Sequence, residues 1–204
     1  IDPVDVAAAR ELEMVIRLVG AARLVDGRFD VHVRPAFVDK QHPLAKVDGA
    51  FNAVMLQGDA IREITLEGPG AGGVETASAV VADITSVIGT MGTGFLQNDA
   101  AWRQLKRLPP GESRSPYYFR LSVEDRPGAL AKVAEELALR EISIARLLQH
   151  ANGDGAALHV VTHEAATGAL DDALAAIGDL PAIKRRSTPL PVVSDRGVAE
   201  LGWA

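Results

Sequence analysis

The run GPGAGG, Gly68 to Gly73, limits what this chain can fold into more than any other stretch. These six residues carry almost no side-chain bulk, and the sequence after them turns amphipathic at once. Val80, Val81, Ile84, Val87 and Ile88 recur at helical spacing, which predicts a helix from about Thr76 to Ile88. Glu75 or Thr76 can cap it, and Gly89 can end it. Glycine tolerates φ > 0 and lets another group approach bare backbone. The free N–H groups and positive dipole end of such a helix favour a phosphate or another anion. Two readings stay open: an anion-holding loop, or a tight strand-to-helix turn that only packs closely.

Gly68, Gly70 and Gly73 also spell G-x-G-x-x-G between a predicted strand and a predicted helix. A dinucleotide-binding unit needs a second parallel strand after the helix, ending in an acidic residue. Here GTMGTGFLQND follows, which reads as a loop, so the literal fingerprint is rejected.

The 204 residues suffice for two small domains with real cores. A net charge of −6 argues against a general nucleic-acid or membrane-surface binder, and no apolar run reaches transmembrane length. Cysteine is absent, which excludes a disulfide framework or a thiolate metal site and fits a cytoplasmic setting. No metal site is expected elsewhere: His159 and His163 are four apart on a predicted strand, not on one helix face. The chain starts at Ile1 without an initiator Met, and the expectation is that further sequence precedes it.

In the first half, Val4, Ala8, Leu12, Val15 and Val19 fall on one face of a predicted helix with Pro3 in its first turn. AARLV and RFDVHV flank Asp26-Gly27, a strong hairpin signal. Phe29, Val31 and Val33 alternate with Arg28, Asp30 and His32, which predicts one buried apolar face and one wet face. RPAFVDKQHPLAKVDG reads as a turn-rich connector, in which His42 is a turn residue. FNAVMLQ and IREITLE are two further strands, and the second leads into the glycine run. This half is α+β, an antiparallel or mixed sheet with covering helices.

RELEMVIRLVGAARL, VRPAFV, HPLAKVDGAFNAVMLQGD and GPGAGGVETASAVVADI, in that order, resemble the later part of the catalytic region of homoserine dehydrogenases. The resemblance covers roughly residues 1–90, with residues 1–106 assigned to the substrate and dimerisation part of that region. It implies that the glycine loop borders an NAD(P) cofactor, with Gly70, Ala71, Gly72, Glu75 and Thr76 as cofactor-side residues. Glu75 departs from the proline many members carry. It also implies a catalytic lysine and substrate-holding acids upstream of Ile1, so no catalytic residue is assigned here and this chain alone is expected to be inactive.

RLPPGESRSP is polar, with three prolines and a glycine, and reads as a linker over 107–116. After it, Tyr117, Phe119, Leu121 and Val123 alternate with Tyr118, Arg120 and Ser122. Asp125-Arg126-Pro127-Gly128 turns into a helix with Leu130, Val133, Ala134 and Leu137 on one side. ISIARLLQ is a strand, Asn152-Gly153-Asp154-Gly155 a turn, and AALHVVTH a strand. Thr167 caps a helix carrying Leu170, Leu174 and Ile177, and a last strand starts near Ile183. The order βαββαβ is ferredoxin-like. An RNA-binding module would need a basic surface beside strand aromatics, and a net charge of −6 argues against one.

VEDRPGALAKVAEELALREISIARLLQ and THEAATGALDDAL resemble an ACT domain, placed at 117–190 with a tail over 191–204. The resemblance implies an amino-acid effector at an ACT–ACT interface, threonine above others, held by Asp125, Gly128, Ala129 and Leu130 of one subunit and by Ile142, Ser143 and Ile144 of a neighbour. It thus implies a homo-oligomer. The bland reading is an ACT module that is structural or dimerising only.

The two resemblances together imply part of a feedback-regulated enzyme interconverting L-aspartate 4-semialdehyde and L-homoserine with NAD(P), in threonine, methionine and isoleucine biosynthesis. The alternative is a non-catalytic amino-acid-binding ACT protein on a dimerising scaffold. No nucleic-acid or membrane partner is expected.

Overall fold

The computed structural model describes residues 1–58, 60–91, 104–153 and 155–194. They form two compact units: residues 1–45 together with the chain from Lys106 onward, and the stretch from Lys46 to Leu105.

The first unit begins with α1 (Pro3–Glu11). Asp2 caps it by accepting from the Val4 N–H, and the Asp5 carboxylate accepts from the Asp2 N–H at 2.9 Å, a reciprocal box that satisfies orphan donors. The helix stops because Glu13 takes φ 58°, and β1 (Met14–Val25) starts directly after it. Val15 and Val19, expected on the helix, therefore lie in a strand. Their spacing suits either period, and the β-branched run Val15-Ile16 favours the strand. β2 (Arg28–Asp39) pairs antiparallel with β1 from Val25↔Arg28 to Met14↔Asp39. Asp26 (φ 48°) and Gly27 (φ 72°) make the expected two-residue turn, whose positive φ values suit the strand twist. The supposed connector around Pro35 is strand as far as Asp39.

The faces of β2 are the reverse of the alternation reading. Phe29, Val31 and Val33 are exposed, and Asp30 is buried. Burial alone would raise the Asp30 carboxyl; hydrogen bonds from Ser113 (2.8 Å) and Arg23 (2.7 Å) outweigh it and hold the group below the usual carboxylate value. A carboxylate with two such partners can go inside, and its neighbours must then face out.

The second half folds as a βαββαβ unit: β7 (Tyr117–Glu124), α3 (Ala129–Ala138), β8 (Ile144–Asn152), β9 (Gly155–Thr162), α4 (Thr167–Gly178) and β11 (Ile183–Arg186). Within the turn before β9, Asp154 lies outside the described residues. Tyr117, Phe119, Leu121 and Val123 pack with Val133, Leu137, Leu158, Val160, Leu170 and Leu174 in one core, as the period of two predicted. Thr167 is not a side-chain cap of α4. Ala166 holds that position, and the Thr167 hydroxyl donates to the Ser113 carbonyl at 2.9 Å.

This unit is continuous with the first hairpin. β12 (Leu190–Val193), which covers the start of the expected tail, inserts between them. It pairs antiparallel with β7 through Leu190↔Tyr118 and parallel with β2 through Val192↔Phe37. The sheet order among the described residues is β1-β2-β12-β7-β9-β8, with β11 also on β7 and β5 (Lys106–Arg107) on β2. The stretch 107–116 is tied down along its length. Arg107 pairs with Phe29, and β6 (Arg114–Ser115) pairs with β10 (Ala165–Ala166).

The second unit is the hairpin β3 (Phe51–Gly58) and β4 (Arg62–Pro69), followed by α2 (Gly73–Thr90). β3 pairs with β4 from Phe51↔Pro69 to Gly58↔Arg62, and Asp59 of the expected turn lies outside the described residues. The expected loop GTMGTGFLQND is described only as far as Met91. α2 starts three residues before the predicted Thr76, and Gly72, not Glu75 or Thr76, holds its N-cap position.

Candidate functional site

The glycine turn has two constrained positions. Gly72 sits at φ 151°, ψ 154°, backbone that L side chains rarely adopt, and a Cβ there would meet the Glu75 carboxylate. A Cβ at Gly70 would meet the Asn52 side-chain amide, while the Gly70 N–H donates to the Ala50 carbonyl at 3.1 Å. Gly73 faces open space, and the Thr76 N–H is used by the Gly72 carbonyl at 3.2 Å. Bare backbone is therefore presented at the start of an 18-residue helix, with a carboxylate from Glu75 in the first turn. That carboxylate takes the favourable place at the helix dipole which a phosphate would want.

The second place is a cleft of about 100 Å³ at the end of β7. Asp125, Gly128, Ala129 and Leu130, four of the seven expected effector residues, line it together. Ile142, Ser143 and Ile144 do not. Arg126 and Gln149 line it too, although neither was assigned to it from the sequence. Gln149 sits in β8, and no local signal predicts that a strand residue and a turn more than twenty positions earlier share a cleft. Gly128 holds the N-cap position of α3 at φ 86°, ψ −7°. Glycine is needed there for its left-handed backbone, and a side chain would project into open space. The first-turn N–H groups of α3 have no intrahelical acceptor, and Gly128, Ala129 and Leu130 line the cleft. One is already engaged, since the Ala129 N–H donates to the Arg126 carbonyl at 3.3 Å. Arg126 faces Glu124 at 3.5 Å, so the cleft carries both signs of charge. That combination suits a zwitterion, whose carboxylate and ammonium need opposite partners.

On the other face of the same sheet α1 covers the strands. Ala8, Ala9, Leu12 and Met14 pack with Phe37, Tyr118, Val161 and Val192. Within this contact lies a buried polar cluster. The Tyr118 hydroxyl donates to Asp5 Oδ1 at 2.9 Å, and Arg120 Nε donates to the same oxygen at 2.9 Å. The Tyr118 oxygen is also 2.9 Å from His159 Nδ1. Ionised Asp5 only accepts, so the tyrosine proton points to it and His159 must carry its proton on Nδ1. Burial would raise the Asp5 carboxyl, but bonds from Arg120, the Asp2 backbone and Tyr118 outweigh it and keep the group below its ordinary value. Burial first, then the nearby His150 and Arg120, lower His159 and keep it neutral. Burial and then Asp5 raise the Tyr118 phenol, which stays protonated. None of these residues was singled out from the sequence for such a role. Alternation placed Tyr118 and Arg120 opposite the core face, but nothing local says that a helix lies there.

The sheet, the cleft and the helix-capped back face define an ACT-type module built without a break onto part of another domain. The sequence comparisons say which one. Residues 1–85 match the homoserine dehydrogenase family, and residues 117–182 match the ACT domain. The homoserine dehydrogenase of Mycobacterium tuberculosis is 36% identical over 200 residues, covering 90% of this chain and 44% of that protein. That of Bacillus subtilis is 28% identical over 205 residues, covering 98% and 46%. The crystal structure of a homoserine dehydrogenase from Thiobacillus denitrificans superposes with a TM-score of 0.86 at 30% identity, over 95% of this chain and 46% of that one. This chain carries a homoserine dehydrogenase domain followed by an ACT domain. It spans a little under half the length of these relatives. Among the described residues no helix is long and apolar enough to cross a membrane.

Proposed function

We propose that this chain is the substrate-side and regulatory part of a homoserine dehydrogenase. The reaction reduces the aldehyde of L-aspartate 4-semialdehyde to the alcohol of L-homoserine. NAD(P)H supplies the hydride to carbon, a proton goes to oxygen, and NAD(P)⁺ leaves. Gly70, Ala71 and Gly72 border the uncharged part of the cofactor, and Glu75 and Thr76 flank it at the start of α2. The groups that move hydride and proton come from other parts of the enzyme, so this chain alone turns over no substrate.

The ACT cleft binds a small amino acid, threonine first, as feedback. The observation that carries this reading is the mixed-charge cleft under the left-handed Gly128, on a sheet that also contains β1 and β2 of the dehydrogenase domain. Ile142, Ser143 and Ile144 close over the ligand from a second subunit. The protein is a cytoplasmic homo-oligomer. Two features support the pairing. β8 is the outer strand of the sheet. Leu18, Leu24, Phe29, Val31 and Val33 form one exposed apolar face across β1 and β2.

Calorimetric titration with threonine, isoleucine, methionine and lysine tests the effector reading. Threonine should bind at the millimolar level or tighter, with heat lost in Gly128→Val. No heat for any of the four, from a folded oligomer, overturns it. Saturable homoserine oxidation by this chain alone overturns the division of labour.

A further inference from the structure

The cleft and the cluster under α1 draw on the same three strands. In β9, Leu158 lines the cleft and His159 meets Tyr118. In β8, Gln149 lines the cleft and His150 lies 3.1 Å from Glu11 of α1. In β7, Val123 and Glu124 line the cleft, and Tyr118 and Arg120 grip Asp5. Strand neighbours point to opposite faces, so β8 and β9 each present one residue to the ligand side and the next to the helix side, while β7 reaches the cleft with its end and Asp5 with its middle. The helix is held near both ends: Asp5 binds β7, and the Leu12 carbonyl accepts from Arg146 of β8 at 2.9 Å. The Tyr118–Asp5 bond is buried and the Arg120–Asp5 bond partly so, and both end on a charged carboxylate, so a small shift of β7 strains them with little water to compensate.

We propose that α1 is the receiver of the effector signal, and that the Tyr118–Asp5–Arg120 junction transmits occupancy of the Gly128 cleft to the dehydrogenase domain. The proposal rests on the effector reading above. α1 opens the segment that matches the homoserine dehydrogenase family, and its C-terminal end runs directly into β1. Movement of β7 on ligand binding therefore has a route to the dehydrogenase domain through this helix, beside the direct strand pairing through β12. Tyr118, Asp5 and Arg120 are positioning residues in this scheme. They touch no effector and no substrate.

The test uses the complete enzyme containing this chain. Tyr118→Phe keeps the ring stacked on Phe37, whose centroid is 3.9 Å away, and deletes only the hydroxyl. The expected result separates binding from response. The threonine affinity measured by calorimetry stays within about threefold, while the threonine concentration for half-inhibition rises about tenfold or inhibition disappears. Asp5→Asn should act in the same direction. Hydrogen exchange of the α1 amides in the wild-type enzyme is independent of whether either variant folds, and should slow or quicken when threonine is added. Unchanged inhibition in Tyr118→Phe, or α1 exchange indifferent to bound threonine, overturns the proposal alone. A wild-type enzyme that takes up no amino acid overturns both the proposal and the effector reading.

Discussion

Ser113 donates its hydroxyl proton to Asp30 across 83 positions of sequence, in a buried hydrogen bond of 2.8 Å. The bond fixes the stretch after β5 to the first hairpin. The Ser113 carbonyl meanwhile accepts from the Thr167 N–H at 2.8 Å, so one residue joins β2 to the start of α4. Ser113→Ala should therefore cost about 2 kcal/mol, the range for a hydrogen bond to a charged group. In an Asp30→Asn background the same change should cost visibly less. Urea unfolding of the four proteins of this cycle measures the difference. Equal costs in both backgrounds would remove the bond from the account.

Stability should fall with acid in two steps. His159 is lowered in the folded state by burial, then by His150 and Arg120. The unfolded chain then binds the extra proton first, so stability drops as pH falls below about 6.5 toward the folded value. Asp5 and Asp30 are also lowered, their hydrogen bonds outweighing the opposing effect of burial. Their contribution is complete above about 3.9 and is lost as pH falls through their folded values. His32 is lowered in the same direction as His159, by burial first and then by Arg34. Urea midpoints recorded from pH 8 to pH 3 should therefore show both limbs, and His159→Gln should shrink the upper one without abolishing it. A flat profile between pH 7 and pH 5 in the unaltered protein would contradict the buried neutral imidazole.

Gly72→Ala should destabilise α2 by about 1–3 kcal/mol through backbone strain. The clash with Glu75 involves the far end of a flexible side chain, which can move away. Glu75→Ala should therefore rescue little of the loss. In the complete enzyme Gly72→Val would raise the cofactor KM partly by this strain, so Ala71→Val gives the cleaner measure of approach to the cofactor. Full rescue of Gly72→Ala by Glu75→Ala in thermal unfolding would mean that the collision, not the dihedral angle, requires glycine.

Gly155 is paired with Glu124, and a Cβ there would meet the Val123 carbonyl. Backbone cannot move aside as a side chain tip does. Gly155→Ala should push β9 from β7 at the end that borders the cleft. The expected outcome is a loss of about 2 kcal/mol or more together with loss of amino-acid binding. Retained binding at wild-type affinity would show that the strands tolerate the separation.

The βαββαβ unit was legible because its core repeats locally: Tyr117, Phe119, Leu121 and Val123 announce one buried face by period alone. The Asp26-Gly27 turn was legible because its dihedral demand is local too. What was not legible depends on distant partners. Asp30 reads as a wet residue until Arg23 and Ser113 are brought to it. Pro191-Val192-Val193 reads as tail until β2 and β7 offer it both edges. Val15 and Val19 fit two periods, and only the positive φ at Glu13 decides between them. Of the expected effector residues, the contiguous turn Asp125 to Leu130 comes together at the cleft. Gln149 joins it only because β8 folds back beside β9.

The position of β12 bears on the order in which the chain can be assembled. Val192 must reach Phe37, so the central sheet cannot close until nearly the whole described chain is available. During synthesis the β1–β2 hairpin, whose pairing is local, can form early, yet its inner edge waits for a strand made some 150 residues later. Such non-local closure is slow and leaves an open edge exposed in the interim. Truncation before Leu190 would therefore do more than shorten a tail. It would leave β2 and β7 without the strand that joins them, and would bare the Phe37–Val38 stretch of β2 and the Tyr117–Tyr118 stretch of β7 for pairing with another chain.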